Sequence, residues 1–95
     1  MDLEFEWDEK KNISNYKKHG IWFEEATSIF DDQLGRLFFD SNHSDNESRF
    51  ILIGMNVFRK ILVVVHAYRE TEDKVRIISA RPTTKRERGF YEEGI

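Results

Sequence analysis

Arg69, Arg76, Arg81, Lys85, Arg88 and Tyr91 have types and spacing suited to chemistry on a polyanion. Most of them lie in or just after the run Val75-Arg76-Ile77-Ile78-Ser79-Ala80-Arg81-Pro82. Each guanidinium offers forked donors and a permanent charge, and a phenol beside it can transfer a proton. Arg69 and Arg76 flank a turn within Glu70-Thr71-Glu72-Asp73. With an even number of loop residues, the period-2 alternation of strands puts these two on one face. Arg81 then falls on the other face, or at the strand end. The same arginines also fit a plainer arrangement, paired with Glu70, Glu72 or nearby acids on a solvated face.

A second constellation, His43-x-x-x-Glu47-x-Arg49, joins an imidazole, a carboxylate and a guanidinium at a loop and strand start. It equally suits a Glu47–Arg49 surface pair, since residues two apart on a strand share a face. His19, His43 and His66 lack metal-ligand spacing: His19 reads as a helix-end residue and His66 as a hydrogen-bonded core histidine. Asp31-Asp32 reads as a solvated helix terminus. Thr84-x-x-Glu87 is a capping box, so Glu87 has a structural role. Arg88 and Tyr91, three apart, share a helix face, and Tyr91 suits an aromatic anchor as well as an acid. Arg86 points toward solvent. No Gly-rich phosphate loop, nucleophile elbow or Ser-His-Asp set is present, and neither a metal nor a cofactor is expected.

The elements that must position these groups are legible in the periodicity. Leu3-Glu4-Phe5-Glu6-Trp7 alternates as a short strand. Asp8 caps a helix to about Lys18, with Ile13 and Tyr16 on one stripe and Gly20 as its stop. A second helix runs from Phe23 to Phe30, with Phe23, Ala26, Thr27 and Phe30 facing the core. Four strands follow, at 36–40, 49–55, 59–69 and 74–81, joined by short turns as an antiparallel meander. A short helix opened by Thr84 carries Arg88 and Tyr91. The predicted fold is α+β: one domain over 1–95, a short N-terminal strand and two helices on an antiparallel sheet of about four strands, and a C-terminal helix.

With no Cys, disulfides and thiolate chemistry are excluded. The acidic N-terminus does not resemble a signal peptide, and Ile61 to Val65 is too short to span a bilayer, so a cytoplasmic protein is expected. The net charge of −3 conceals an asymmetry. Residues 1–58 hold 6 Lys/Arg against 12 Asp/Glu, whereas residues 59–95 hold 9 against 6. A local basic face can bind nucleic acid even on an acidic protein.

The ordered set Phe5-Glu6-Trp7-Asp8, Lys18-His19-Gly20, Phe23-Glu24-Glu25-Ala26, Phe30-Asp31-Asp32, Asp40, His43-Ser44, Glu47-x-Arg49, Ile53-Gly54, Arg69, Arg76-Ile77-Ile78-Ser79-Ala80-Arg81, Glu87-Arg88 and Tyr91 resembles the BrnT family of toxins across essentially the whole chain. The resemblance implies a RelE-like ribonuclease fold and a toxin that cleaves RNA and arrests translation. It also implies a BrnA-type antitoxin that contacts operator DNA, so that the complex represses its own operon and the toxin pairs with itself inside it. The reaction it suggests is metal-independent attack by the substrate's 2′-hydroxyl on the adjacent phosphorus. Arg69, Arg76 and Arg81 would stabilise the phosphoryl charge, and Tyr91, Glu47 and His43, in that order, are candidates for proton transfer. Lys85, Arg88, His43 and Arg49 would contact RNA. Charge alone suggests a binder, so a nucleic-acid- or protein-binding module without chemistry is the rival reading. A folded toxin that only binds its antitoxin is another.

Two positions depart from the family pattern. Trp22 replaces a small polar N-cap, so Glu25 is expected to lose its capping partner at a cost of about 1 kcal/mol unless Trp22 packs on the fold or a partner. In Asn56-Val57-Phe58-Arg59 a Gly commonly precedes the Arg, so a longer or strained turn is expected there.

Overall fold

Alternation from Arg36 onward builds most of one sheet in the computed structural model, which describes residues 3–44, 46–69 and 71–93. Its strands are β1 (Glu4–Glu6), β2 (Arg36–Phe39), β3 (Phe50–Met55), β4 (Ile61–Arg69) and β5 (Thr71–Pro82). The order across the sheet is β1-β5-β4-β3-β2. From β2 to β5 the strands form the expected antiparallel meander. The N-terminal strand corrects the expectation of about four antiparallel strands: it joins as a fifth, parallel to β5, with Phe5 beside Val75. Glu70, in the expected turn, lies outside the described residues.

Helix α1 (Glu9–His19) begins at Asp8, whose carboxylate accepts from the Lys10 N–H at 2.8 Å, and ends at Gly20 in the left-handed region (φ 74°). The expected apolar stripe is not what docks it, since Ile13 and Tyr16 are exposed. Asn12 and Asn15 are buried instead, and both are fully engaged. Asn15 Nδ2 donates to the carbonyls of Ala80 (2.7 Å) and Ile21 (2.9 Å), and its Oδ1 accepts from Ala80 N–H at 3.1 Å. One side chain thus serves the backbone of β5 where β1 no longer pairs with it, which satisfies buried polar groups on both sides.

The second helix is shorter than expected: α2 (Phe23–Ala26) gives way to a 3-10 helix at Thr27–Asp31. Trp22 offers no capping side chain, but the end is not orphaned. Glu25 still accepts from the Trp22 N–H (3.1 Å), and Asn12 Oδ1 accepts from the Phe23 N–H (2.8 Å). Trp22 itself stacks on Tyr16 at 4.1 Å. Glu25 therefore keeps its bond to the N-cap backbone, Asn12 of α1 caps Phe23 N–H where Trp22 has no capping side chain, and the predicted packing of Trp22 is present.

Two apolar layers result. Phe23, Ala26, Ile29, Leu52, Leu62, Val64, Val75, Ile77 and Ala80 form the core between sheet and helices. On the opposite face Ile53, Ile61 and Val63 form a smaller cluster, covered by Tyr91 of α3 (Lys85–Glu93).

Candidate active site

The face of the sheet away from α1 and α2 carries the arginines. In β4, Val63, Val65, Ala67 and Arg69 alternate onto it. Their β5 partners are Arg81 opposite Val63, Ser79 opposite Val65 and Arg76 opposite Ala67. Ile78 is the extra residue of a β-bulge between these pairs, and it resets the alternation. Arg81 therefore shares the face of Arg76 and Arg69: of the two expected placements, the strand end holds and the opposite face does not.

A loop then brings a carboxylate to these arginines. Asp40 N–H donates to Arg49 O at 2.8 Å, closing the loop base. Ser44 Oγ donates to Asp40 O at 2.5 Å and accepts from Arg49 N–H at 3.0 Å. Held in this way, Glu47 reaches across to β5 and β4. Its carboxylate accepts from the Arg76 guanidinium and lies 3.9 Å from both Arg69 Nη1 and Arg49 Nε. Glu6 of β1 adds contacts to Arg69 (3.5 Å) and Lys74 (3.6 Å). The Nε atoms of Arg49 and Arg76 are buried and make no hydrogen bond. His43 is exposed, lies 3.2 Å from Asp40 through Nδ1, and lines the same cleft as Glu47 and Arg49.

Arg81 and Tyr91 share the sheet face but answer to other carboxylates. Arg81 makes a bidentate pair with Glu87, both bonds 2.8 Å, which holds its guanidinium above the ordinary range and lowers the Glu87 carboxyl to about 2. Glu87 also completes the predicted capping box, accepting from Thr84 N–H at 2.9 Å while Thr84 Oγ1 accepts from Glu87 N–H at 3.2 Å. The Tyr91 hydroxyl donates to Asp32 at 2.5 Å, and burial together with that carboxylate pushes the phenol up to about 12. Burial alone would raise Asp32, but the bonds from Tyr91, Met55 N–H and Leu34 N–H outweigh it and lower its carboxyl. Its place after a helix predicts a solvated terminus for Asp32. Its anchoring role depends on contacts 23 and 59 residues away, which no local pattern carries.

Of the sequence candidates, direct contacts thus gather Glu47, Arg49, Arg69 and Arg76, with His43 at the rim. Lys85 and Arg88 are exposed on α3. Arg88 lines a separate cleft with His19 and Arg59. His66 is fully buried, as a core histidine should be. Its Nδ1 lies 3.3 Å from Val64 O, Nε2 has no partner, and burial lowers its pKa to about 4. Among the described residues no cluster of His, Cys, Asp or Glu could hold a metal ion, and no described helix is long and apolar enough to cross a membrane.

Comparison with known proteins places this geometry in a family. The model of the family described as "Ribonuclease toxin, BrnT, of type II toxin-antitoxin system" matches residues 7–87. Among solved structures the chain is similar to the Brucella abortus ribonuclease toxin BrnT, known from a 1.1 Å crystal structure. The TM-score is 0.65 at 21% identity, over 87% of this chain and 99% of that one. At that identity the likeness is one of fold. Comparison with curated proteins gives no match. With the family model spanning most of its length, the chain belongs to the BrnT family of ribonuclease toxins of type II toxin–antitoxin systems.

Proposed function

We propose that the protein is an endoribonuclease in which the substrate's own 2′-hydroxyl attacks the adjacent phosphorus, leaving a cyclic phosphate and a free 5′-hydroxyl. The observation that carries this is the convergence of Arg49, Arg69 and Arg76 on Glu47 at an open cleft. Guanidiniums already held by a carboxylate are pre-organised for a second oxyanion, and the phosphorus gains negative charge in the transition state. Glu47 takes the 2′-hydroxyl proton. His43 gives one to the departing 5′-oxygen across the same cleft. Arg69 and Arg76 stabilise the phosphorane, and Arg49 holds Glu47 and the flanking phosphate.

Tyr91 takes no part in proton transfer in this scheme. A phenol pushed up to about 12 and bonded to Asp32 serves better as the anchor of α3. Arg81, paired with Glu87, positions the same helix. RNA cleavage in the cytoplasm would arrest translation, as a RelE-like toxin does. A BrnA-type antitoxin would neutralise it, supply the operator DNA contacts that repress the operon, and hold a toxin homodimer in the complex. The test is RNA degradation by folded Arg76→Ala and Glu47→Gln variants. Cleavage at the wild-type rate in either removes that residue from the mechanism, and RNA binding without cleavage by the wild type replaces the enzyme with a binding module.

A further inference from the structure

A second basic cleft, of about 390 Å³, opens at the far end of the β4–β5 ladder, lined by His19, Arg59, Lys60, Thr83 and Arg88 among others. It lies between the end of α1, the β3–β4 turn and the start of α3. Among the described residues no carboxylate lines it. Lys60 reaches Glu25 at 3.4 Å, but neither Arg59 nor Arg88 has a side-chain partner among the described residues. His19 is held below its ordinary pKa by burial first, then by Lys18 and Arg81.

The turn adds an independent observation. Arg59 N–H donates to Asn56 O (3.0 Å) and Asn56 N–H to Lys60 O (2.9 Å), closing the hairpin. Asn56 Oδ1 takes the Phe58 and Lys60 N–H groups. This geometry forces Arg59 into the left-handed region at φ 65°, and it is the only non-glycine with positive φ among the described residues. Glycine or asparagine fits such a position without strain, and arginine does not. A residue held at positive φ by the turn, with its guanidinium beside a cleft that no described carboxylate lines, motivates a functional reading.

We propose that this cleft binds a backbone phosphate of the RNA, away from the cleaved bond. The ladder between Arg69 and Ile61 spans roughly 26 Å at about 3.3 Å per residue. An extended polynucleotide of several residues covers that distance, and a mononucleotide does not. The inference rests on the ribonuclease reading for the identity of the polyanion.

The test uses the full chain with a short 2′-O-methyl RNA, which lacks the attacking hydroxyl, and follows binding by fluorescence polarisation against salt. Arg59→Gly relieves the backbone strain while removing the charge, so its melting temperature rises by about 3 °C as its affinity falls several-fold. The slope of log K against log salt shrinks by about 0.7, the share of one single-strand phosphate, in Arg59→Gly/Arg88→Gln, and by part of that in Arg59→Gly. Unchanged slopes in both variants overturn the inference and leave the active site untouched. No binding by the wild type overturns the ribonuclease reading, and this inference with it. A slope that shrinks for polyglutamate but not for RNA assigns the cleft to an acidic protein segment and overturns it as well.

Discussion

At the Arg69 end of the β4–β5 ladder, Arg76, Arg69 and Arg49 converge on Glu47, while Glu6 takes a second contact from Arg69. At the Ile61 end, Arg59 and Arg88 line a cleft with no carboxylate among the described residues, and Arg81 turns aside to Glu87. The two arrangements suit different tasks. Guanidiniums locked by a carboxylate have already lost rotamer freedom, so they meet developing charge without reorganising. Guanidiniums free in solvent keep that freedom and gain chiefly by releasing counterions, which gives salt-sensitive grip rather than rate. One end is built for the transition state and the other for the chain that carries it.

The comparison breaks most readily at Arg76. Its truncation should lower kcat by about 10²–10³-fold, the usual effect of removing one donor aimed at developing charge. Truncating Arg59 or Arg88 should instead raise KM several-fold and leave kcat nearly intact. Equal kcat losses at both ends, measured by single-turnover cleavage of a labelled RNA, would erase the distinction.

Acid should also separate the ends. His66 lies on the helix side of β4 near the Arg69 end, between Phe30, Phe50 and Tyr68, and burial lowers its pKa to about 4. A histidine depressed on folding stabilises fully above its unfolded value of about 6.5, and that stability is lost as pH falls toward 4. The loss should be about 3 kcal/mol across that window. Glu87, at the other end and near 2, is depressed as carboxylates usually are, so its contribution persists above 4.5 and fades only below that. It should amount to about 1 kcal/mol after solvent screening. Urea unfolding at pH 7, 5 and 3 distinguishes the two. His66→Leu should flatten the upper window and Glu87→Gln the lower, and a His66→Leu protein with the wild-type slope between pH 6.5 and 4 would refute the first assignment.

How much of this was legible in the sequence depends on the range of the contacts. Caps at Asp8, Gly20 and Thr84-Glu87 were plain because they are local, and the meander was plain because alternation survives in each strand. The bulge at Ile78 was not, since Ile77 and Ile78 are both apolar and one extra residue leaves no mark on the pattern. It alone decides the face of Arg81. Docking of α1 through Asn12 and Asn15 was also hidden, because an asparagine becomes a core residue only when distant backbone groups satisfy it. Glu47 and Arg49 stood out as a motif. The meeting of Glu47 with Arg76, 29 residues on, required the β3–β4–β5 register.

The smallest effect belongs to Tyr91, and it tests whether the far end takes any part in chemistry. Its ring covers Ile53, Ile61 and Val63, and its hydroxyl adds one bond to Asp32. Tyr91→Phe keeps the ring and removes the bond, while Asp32 retains the Met55 and Leu34 N–H groups. A half-buried hydrogen bond to a charged acceptor that keeps other partners should contribute about 1 kcal/mol. The variant should therefore melt a few degrees lower and cleave RNA at an unchanged kcat. If the phenol were the acid, the reverse pattern would appear: kcat lower by about 10²-fold, with little change in melting. An anchor and an acid predict opposite rankings of the same two measurements, so Tyr91→Phe decides whether proton transfer stays with Glu47 and His43 at the Arg69 end.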